Sequence, residues 1–327
     1  MEDLVTAPTP LDKRWLTEAV RLREEHAGLL EDQAANRHAR QRGGDLAARI
    51  ESRALFLAER DGMATALRHW KQGARLAVLA LLLLAVLSGA GLALAALGDG
   101  QRPVNVFWAL GSLLGLNLLT LLGWAIGFAL SGEHGAGLGR LWLWLSERFA
   151  RDAKAAHLGP ALLVLLQRQR LNRWLLGLLV HSLWLLAMLC ALGMLLALLA
   201  TRRYGFVWET TLLAADPFIQ LTQALGALPS LLGFAMPDEA MIRASGDSQP
   251  ALDVARQAWA SWLLGVVLVY GLLPRVLLAG LCLWRGGGGG PPPPPPPRPP
   301  PPPPRGPPPP PRPPPPAPPP PPPPGAP

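Results

Sequence analysis

Three polar residues stranded in apolar sequence are the side chains of this chain best suited to chemistry: Asn117, His181 and Arg275. An imidazole can relay a proton or bind a metal. A guanidinium clasps phosphate or carboxylate, and an amide can serve either. In hydrocarbon such groups are costly and must face a partner, a water-filled cavity or the headgroups. Each also has a plainer role. His181 lies two turns from Trp174 and can reach an interface. Arg275 follows Pro274, about ten residues before its apolar stretch ends. There it can snorkel, or a proline kink can turn it toward Asn117 or a lipid phosphate. No Asp or Glu falls within these stretches, which argues against the carboxylate relay of an ion-coupled transporter.

Elsewhere the chemistry thins out. The chain has no Gly-rich phosphate loop ending in Lys-Ser/Thr, no HExxH, no GxSxG and no paired-Cys spacing. His26, His38, His69, His134 and His157 sit in polar stretches without ligands at useful spacing. Cys190 and Cys282 fall inside apolar stretches, so no disulfide framework is expected. The residues therefore point to no catalytic, cofactor-binding or metal site, to no cofactor, and to a protein that is not an enzyme.

The elements that position the three polar residues are four apolar stretches, at about 74–98, 104–131, 174–200 and 258–284. Each is near or above the ~20 residues a helix needs to cross a bilayer. The run Leu79 to Leu87 is apolar all round rather than on one face, which excludes a soluble amphipathic helix. The expected fold is all-α: a polytopic membrane protein with four transmembrane helices. It divides into a helical region over 1–73, a membrane domain over 74–284 with a loop at 201–257, and a Pro-rich tail over 285–327.

Charge sets the threading. Thirteen Lys and Arg precede residue 76, one lies at 99–103, seven at 132–173, and four at 201–257 against six acids. Short loops rich in Lys and Arg stay in the cytoplasm. Both termini and 132–173 are therefore expected to be cytoplasmic in a bacterial inner membrane, with 201–257 outside. The net charge of +8 is accounted for by these loops, so no nucleic-acid partner is expected. The start lacks a basic region followed by an apolar run, so no cleaved signal is expected. Trp70, Trp108, Trp174, Trp259 and Trp284 lie near span ends, where indoles favour the headgroups.

The uncharged stretch 218–236 places Phe218, Leu221, Leu225, Leu228 and Leu232 at helical spacing behind Asp216-Pro217. That pattern suits an amphipathic helix lying on the outer surface rather than a fifth span. Residues 11–73 read as a helical hairpin broken at Gly43-Gly44, with Asp45 as a cap and Leu46, Ile50, Leu57 and Ala58 on its apolar side. The stretch 138–150 reads as an interfacial helix. From Arg285 onward every residue is Arg, Gly, Pro or Ala, the four that codons of only G and C encode. The tail is either a polyproline rod or a shifted reading frame, and either way builds no core.

Span two carries Gly111-xxx-Gly115 and Gly123-xxx-Gly127. Such spacing lets backbones approach, and the two pairs, about 120° apart on an ideal helix, suit two neighbours or a homo-oligomer. Span one repeats the pattern with Ala85, Gly89 and Ala93.

The segments RWLTEAVRLREEHAGLLED (14–32), GDGQRPVNVFWALGSLLGLNLLTLLGW (98–124), YGFVWETTLLAADPF (204–218) and YGLLPRVLLAGLCLWR (270–285) resemble a bacterial inner-membrane family, the domain of unknown function 2868. The resemblance covers about 11–285 and carries no catalytic residues onto this chain. It implies a multi-span protein often encoded beside a GTPase-like protein. The expected function is a non-enzymatic membrane scaffold or anchor that recruits a cytoplasmic, GTPase-like partner through 11–73 and 132–173. The alternative is an oligomeric channel or transporter.

Overall fold

The computed structural model describes residues 8–28, 30–130, 157–168, 172–208, 215–246 and 253–287. The expected interfacial stretch 138–150 and the tail beyond 287 lie outside them.

Helix α1 (Pro10–Ala27) starts on a capping box: the Thr9 side chain accepts from the Asp12 N–H, and the Asp12 carboxylate accepts from the Thr9 N–H. Helices α2 (Gln33–Arg42), α3 (Leu46–Arg60) and α4 (Met63–Leu97) come next. The 11–73 region is thus three short helices plus the base of a fourth, not one hairpin. Gly43 and Gly44 do break it, at φ of +70° and +90°, but so do Gly28 at +83° and Gly62 at +78°. Each occupies the left-handed region that single glycines open at helix ends.

Among the described residues four helices are long and apolar enough to cross a membrane. The first is α4. The second, α5, runs Val106–Leu110, winds as a π-helix over Gly111–Gly115, and continues through Leu116–Leu130. After the short α6 (Leu158–Arg168) comes the third, α7 (Asn172–Thr201). Helices α8 (Ala215–Leu231) and α9 (Glu239–Gly246) precede the fourth, α10, which runs Asp253–Val266, π-winds over Val267–Leu272 and ends with Leu273–Gly287. The second π segment abuts Pro274, which has no N–H to give the Tyr270 carbonyl; the Leu273 N–H bonds back to the Leu268 carbonyl instead.

Helix α4 packs on α7 through the small residues Ala85, Gly89 and Ala93. A Cβ on Gly89 would collide with the Ala187 carbonyl and lie 3.0 Å from Cys190 Cβ. Similar close approaches occur at Gly177, against Cys282 and Trp124, and at Gly271, against Leu114 and Met188.

Two cores flank and enter the bundle. On one side Trp15, Leu16, Ala19, Leu57, Met63 and Leu67 pack with Leu158 and Ala161 of α6, making one N-terminal layer. On the other side lies a loop layer. There β1 (Val104–Asn105) pairs in parallel with β2 (Phe206–Val207), an element the sequence patterns did not suggest. Helix α8 rests on α10, with Phe218, Ile219, Thr222 and Gly226 buried and Leu221, Leu228 and Leu232 exposed. The expected apolar stripe is therefore split. Phe218 turns inward, while the exposed leucines face away from the protein.

Trp259 is enclosed by protein. It is 1% exposed, donates from Nε1 to Ser245 Oγ at 2.9 Å, and packs against Trp262. Trp70 likewise stacks edge-on to Trp15 at 4.9 Å. Trp108 and Trp284 are exposed.

Candidate functional site

Arg275, Asn117 and His181 meet inside the helix bundle. All three are buried: Arg275 and His181 at 0% exposure and Asn117 at 1%. The two π segments, which touch each other, lie just before Asn117 and Arg275 respectively. A π turn inserts one residue into the helical register and rotates the rest of the helix by about 100°. That rotation decides which face Asn117 and Arg275 present.

The guanidinium is held on three sides. Its Nε donates to Asn117 Oδ1 at 2.8 Å, and its Nη2 donates to the Asn117 carbonyl at 2.5 Å and to Thr120 Oγ1 at 2.7 Å. Its Nη1 lies 3.1 Å from His181 Nδ1. Because a guanidinium has only donors, His181 Nδ1 must accept, which places the imidazole proton on Nε2. The Asn117 amide also donates from Nδ2 to the Gly271 carbonyl at 3.3 Å, so it grips α10 with both ends. The guanidinium carbon sits 5.2 Å from the centre of the Trp184 ring, and the Trp124 ring meets His181 edge-on at 4.6 Å.

Four of the five guanidinium N–H groups are thus bonded, and every described partner is neutral. A lone charge at the bilayer centre costs about 2.5–3.5 kcal/mol on insertion scales. Hydrogen bonds to a charged group contribute about 1.5–3 kcal/mol each, so this set is sufficient to hold the charge inside the bundle. Chemically the arrangement is a clasp joining α5, α7 and α10. His181 Nε2 is buried without a hydrogen-bond partner. Among the described residues no group of three His, Cys, Asp or Glu is placed to hold a metal ion.

The polar residues picked out by type are brought together. Thr120, Trp184 and Gly271 were not picked out, although each had a signal: Thr120 lies three residues after Asn117 and Trp184 three after His181 on the same helical faces, and Gly271 four before Arg275. The four glycines of span two do not join this site. A Cβ at Gly111, Gly115, Gly123 or Gly127 would meet nothing within 4 Å, so helix contacts within the chain are made by Gly89, Gly177 and Gly271 instead.

A second cluster organises the N-terminal layer. Trp15 Nε1 donates to the Leu158 carbonyl at 2.7 Å, a buried bond between segments 143 residues apart. Arg53 spans Glu24 at 2.5 Å and Asp32 at 2.8 Å, while Arg23 meets Asp61 at 2.5 Å. The Arg53 guanidinium holds the Asp32 carboxyl below the usual range, and Arg60 with Arg23 does the same for Asp61. Burial, with His26 and Arg23 nearby, pushes the His157 imidazole down.

Residues 149–288 match the family described as a protein of unknown function (DUF2868). This is the C-terminal part of the 11–285 stretch over which the sequence resemblance runs. It contains His181 and Arg275 but not Asn117. The chain is also 32% identical over 185 residues to an uncharacterized membrane protein of Neisseria meningitidis serogroup B. That match spans 56% of this chain and 40% of the relative, so the chain spans about two fifths of the relative's length. No solved structure matches it. Residues 149–288 of this chain thus resemble the family described as a protein of unknown function (DUF2868), and among the described residues four helices are long and apolar enough to cross a membrane.

Proposed function

We propose that the protein is a non-enzymatic anchor of the bacterial inner membrane that presents its N-terminal layer to a cytoplasmic, GTPase-like partner. The observation that carries this reading is the buried Trp15–Leu158 bond and the core around it. Two segments far apart in sequence, each expected to be cytoplasmic from its positive charge, pack as one platform on the base of α4. A platform fixed to a membrane helix presents a partner with a preformed surface, so less ordering is needed on binding. The clasp at Arg275 serves the same role by holding three spans in one arrangement.

Cross-linked purification of the full chain from native membranes tests this. We expect a soluble protein in stoichiometric amount whose retention changes between GTP and GDP and is lost in Trp15→Ala. Recovery of only the chain itself and lipid overturns the reading.

A second reading, an oligomeric channel or transporter, draws on the four glycines of α5, whose open Cβ directions leave room for another copy. Ion or solute flux from purified oligomers in vesicles would favour it.

A further inference from the structure

The end of the N-terminal layer nearest the membrane carries a rim that its own core leaves uncovered. The contacts along α1, α3 and α4 set their directions. Lys71 Nζ of α4 meets both Asp12 carboxylate oxygens at 3.0 Å, and Trp70 packs on Trp15. Arg23, further along α1, pairs with Asp61 just before α4 begins. Helix α1 is therefore antiparallel to α4. Lys13 of α1 pairs with Glu51 of α3 at 3.6 Å, so Glu51 stands level with the start of α1. Since α3 ends at Arg60, next to the α4 start, its N-terminus also points toward the membrane.

The rise of a helix then fixes the height of the rim. Leu46 is five residues before Glu51, about 7.5 Å nearer the bilayer. Arg75 and Leu76, where α4 turns apolar, are four and five residues beyond Lys71, about 6–7.5 Å in the same direction. Leu46 and the α2–α3 turn thus stand at the level where the first span enters hydrocarbon.

The residues at that level suit a lipid surface. Leu11, Leu46 and Ile50 are 55%, 64% and 40% exposed, although Leu46 and Ile50 lie on the side of α3 that its pattern assigns to the core. Around them Arg40, Arg42 and Arg49 are exposed and form no ion pair among the described residues, whereas Arg23 and Arg60 at the far end of the layer are both paired with Asp61. The acid of the turn, Asp45, is occupied in capping the Ala48 N–H.

We infer that this rim docks on the membrane from which α4 emerges, with Leu11, Leu46 and Ile50 entering the boundary between headgroups and acyl chains and Arg40, Arg42 and Arg49 binding phosphates of anionic lipids. Apolar residues flanked by arginines bind such an interface in this way. The dock lies beside, not on, the surface offered to a partner, and it rests on the anchor reading only in calling this side cytoplasmic.

The test uses the full chain, with Cys190 and Cys282 replaced by Ala, in nanodiscs of phosphatidylcholine with or without phosphatidylglycerol. A nitroxide is placed at Leu46→Cys, and a control at Glu59→Cys on the far end of α3. We expect the label at 46 to be relaxed more by lipid-soluble oxygen than by a water-soluble nickel chelate, with the reverse at 59. Each of Arg40, Arg42 and Arg49 changed to Gln should weaken docking about fivefold in anionic discs, the factor equivalent to ~1 kcal/mol per basic residue at such a surface. Equal profiles at 46 and 59 overturn the dock. So does a triple Gln variant that keeps its lipid profile yet loses a soluble partner, since the rim would then be a protein-binding surface. A missing partner with the expected oxygen and nickel profile leaves the dock standing and sinks only the anchor reading, because discs expose both faces and contain no partner.

Discussion

Asn117 is the residue on which the clasp turns. It accepts from Arg275 with its side chain and with its carbonyl, and it donates to Gly271. Removing it should therefore cost more than removing the charge it holds. Asn117→Leu removes the Oδ1 acceptor of the buried Arg275 Nε while the residue-117 carbonyl stays, a loss of about 1.5–3 kcal/mol for a hydrogen bond to a charged group. Replacing both residues by Leu removes the buried charge as well, and apolar replacements of buried polar pairs are often neutral or stabilising. The expected order of unfolding midpoints in detergent is parent, then the Asn117→Leu/Arg275→Leu double variant, then Asn117→Leu alone. A double variant as unstable as the sum of its singles would mean that the two residues are not coupled. Arg275→Lys should fall with Asn117→Leu, because a point charge on a flexible stem cannot reproduce the planar fork that reaches Asn117, Thr120 and His181 together.

At the scale of the element, which small residues mediate packing depends on what the helix does between them. The arithmetic that set the Gly111 and Gly123 pairs about 120° apart assumes a regular α-helix. The π turn over Gly111–Gly115 breaks that assumption, and the glycines end with open space around them. Periodicity cannot signal a π turn, since no residue type marks it, although Pro274 hints at the second one. The same limit explains Leu46 and Ile50: they match the α3 pattern, but the core of the layer ends below them. What was legible is what composition alone decides, namely four helices long and apolar enough to cross a membrane, the first starting at Met63 rather than near 74, and the rare polar residues inside them. What was not is any fact of register, including the β1–β2 bridge and the inward turn of Trp259. Packing at the small residues can be tested directly. Gly89→Ala should destabilise the chain by about 1–3 kcal/mol, as overpacking of a closed contact does, because its new methyl meets the Ala187 carbonyl. Gly115→Ala should be neutral or gain up to about 1 kcal/mol from helix propensity. Unfolding midpoints of the two variants in detergent check both. If instead Gly115→Ala weakens a purified oligomer while the single chain stays folded, α5 is an interface between copies.

Taken as a whole molecule, the chain has two unlike polar ends joined by four spans. One end is the ion-paired N-terminal layer, which gathers α6 from between spans two and three. The other is the tryptophan-rich loop layer, where Trp208, Trp259 and Trp262 each spend their indole N–H on a partner in α8 or α9. Four crossings require these ends to lie on opposite sides, since α6 joins spans two and three while β1 and β2 belong to the two connections on the other face. Which end faces the cytoplasm is a matter of charge. The N-terminal side holds the thirteen basic residues before residue 76 and the seven at 132–173, against four beyond the third span at 201–257. We therefore expect the N-terminal layer inside and α8 outside. Two exposed positions report on this, Glu59 in α3 and Leu231 at the end of α8, the latter 80% exposed. In a chain lacking Cys190 and Cys282, a membrane-impermeant maleimide should label Leu231→Cys in intact cells and Glu59→Cys only after the membrane is opened. Labelling of Glu59→Cys in intact cells would reverse the threading, and with it the side on which any partner of the platform must be sought.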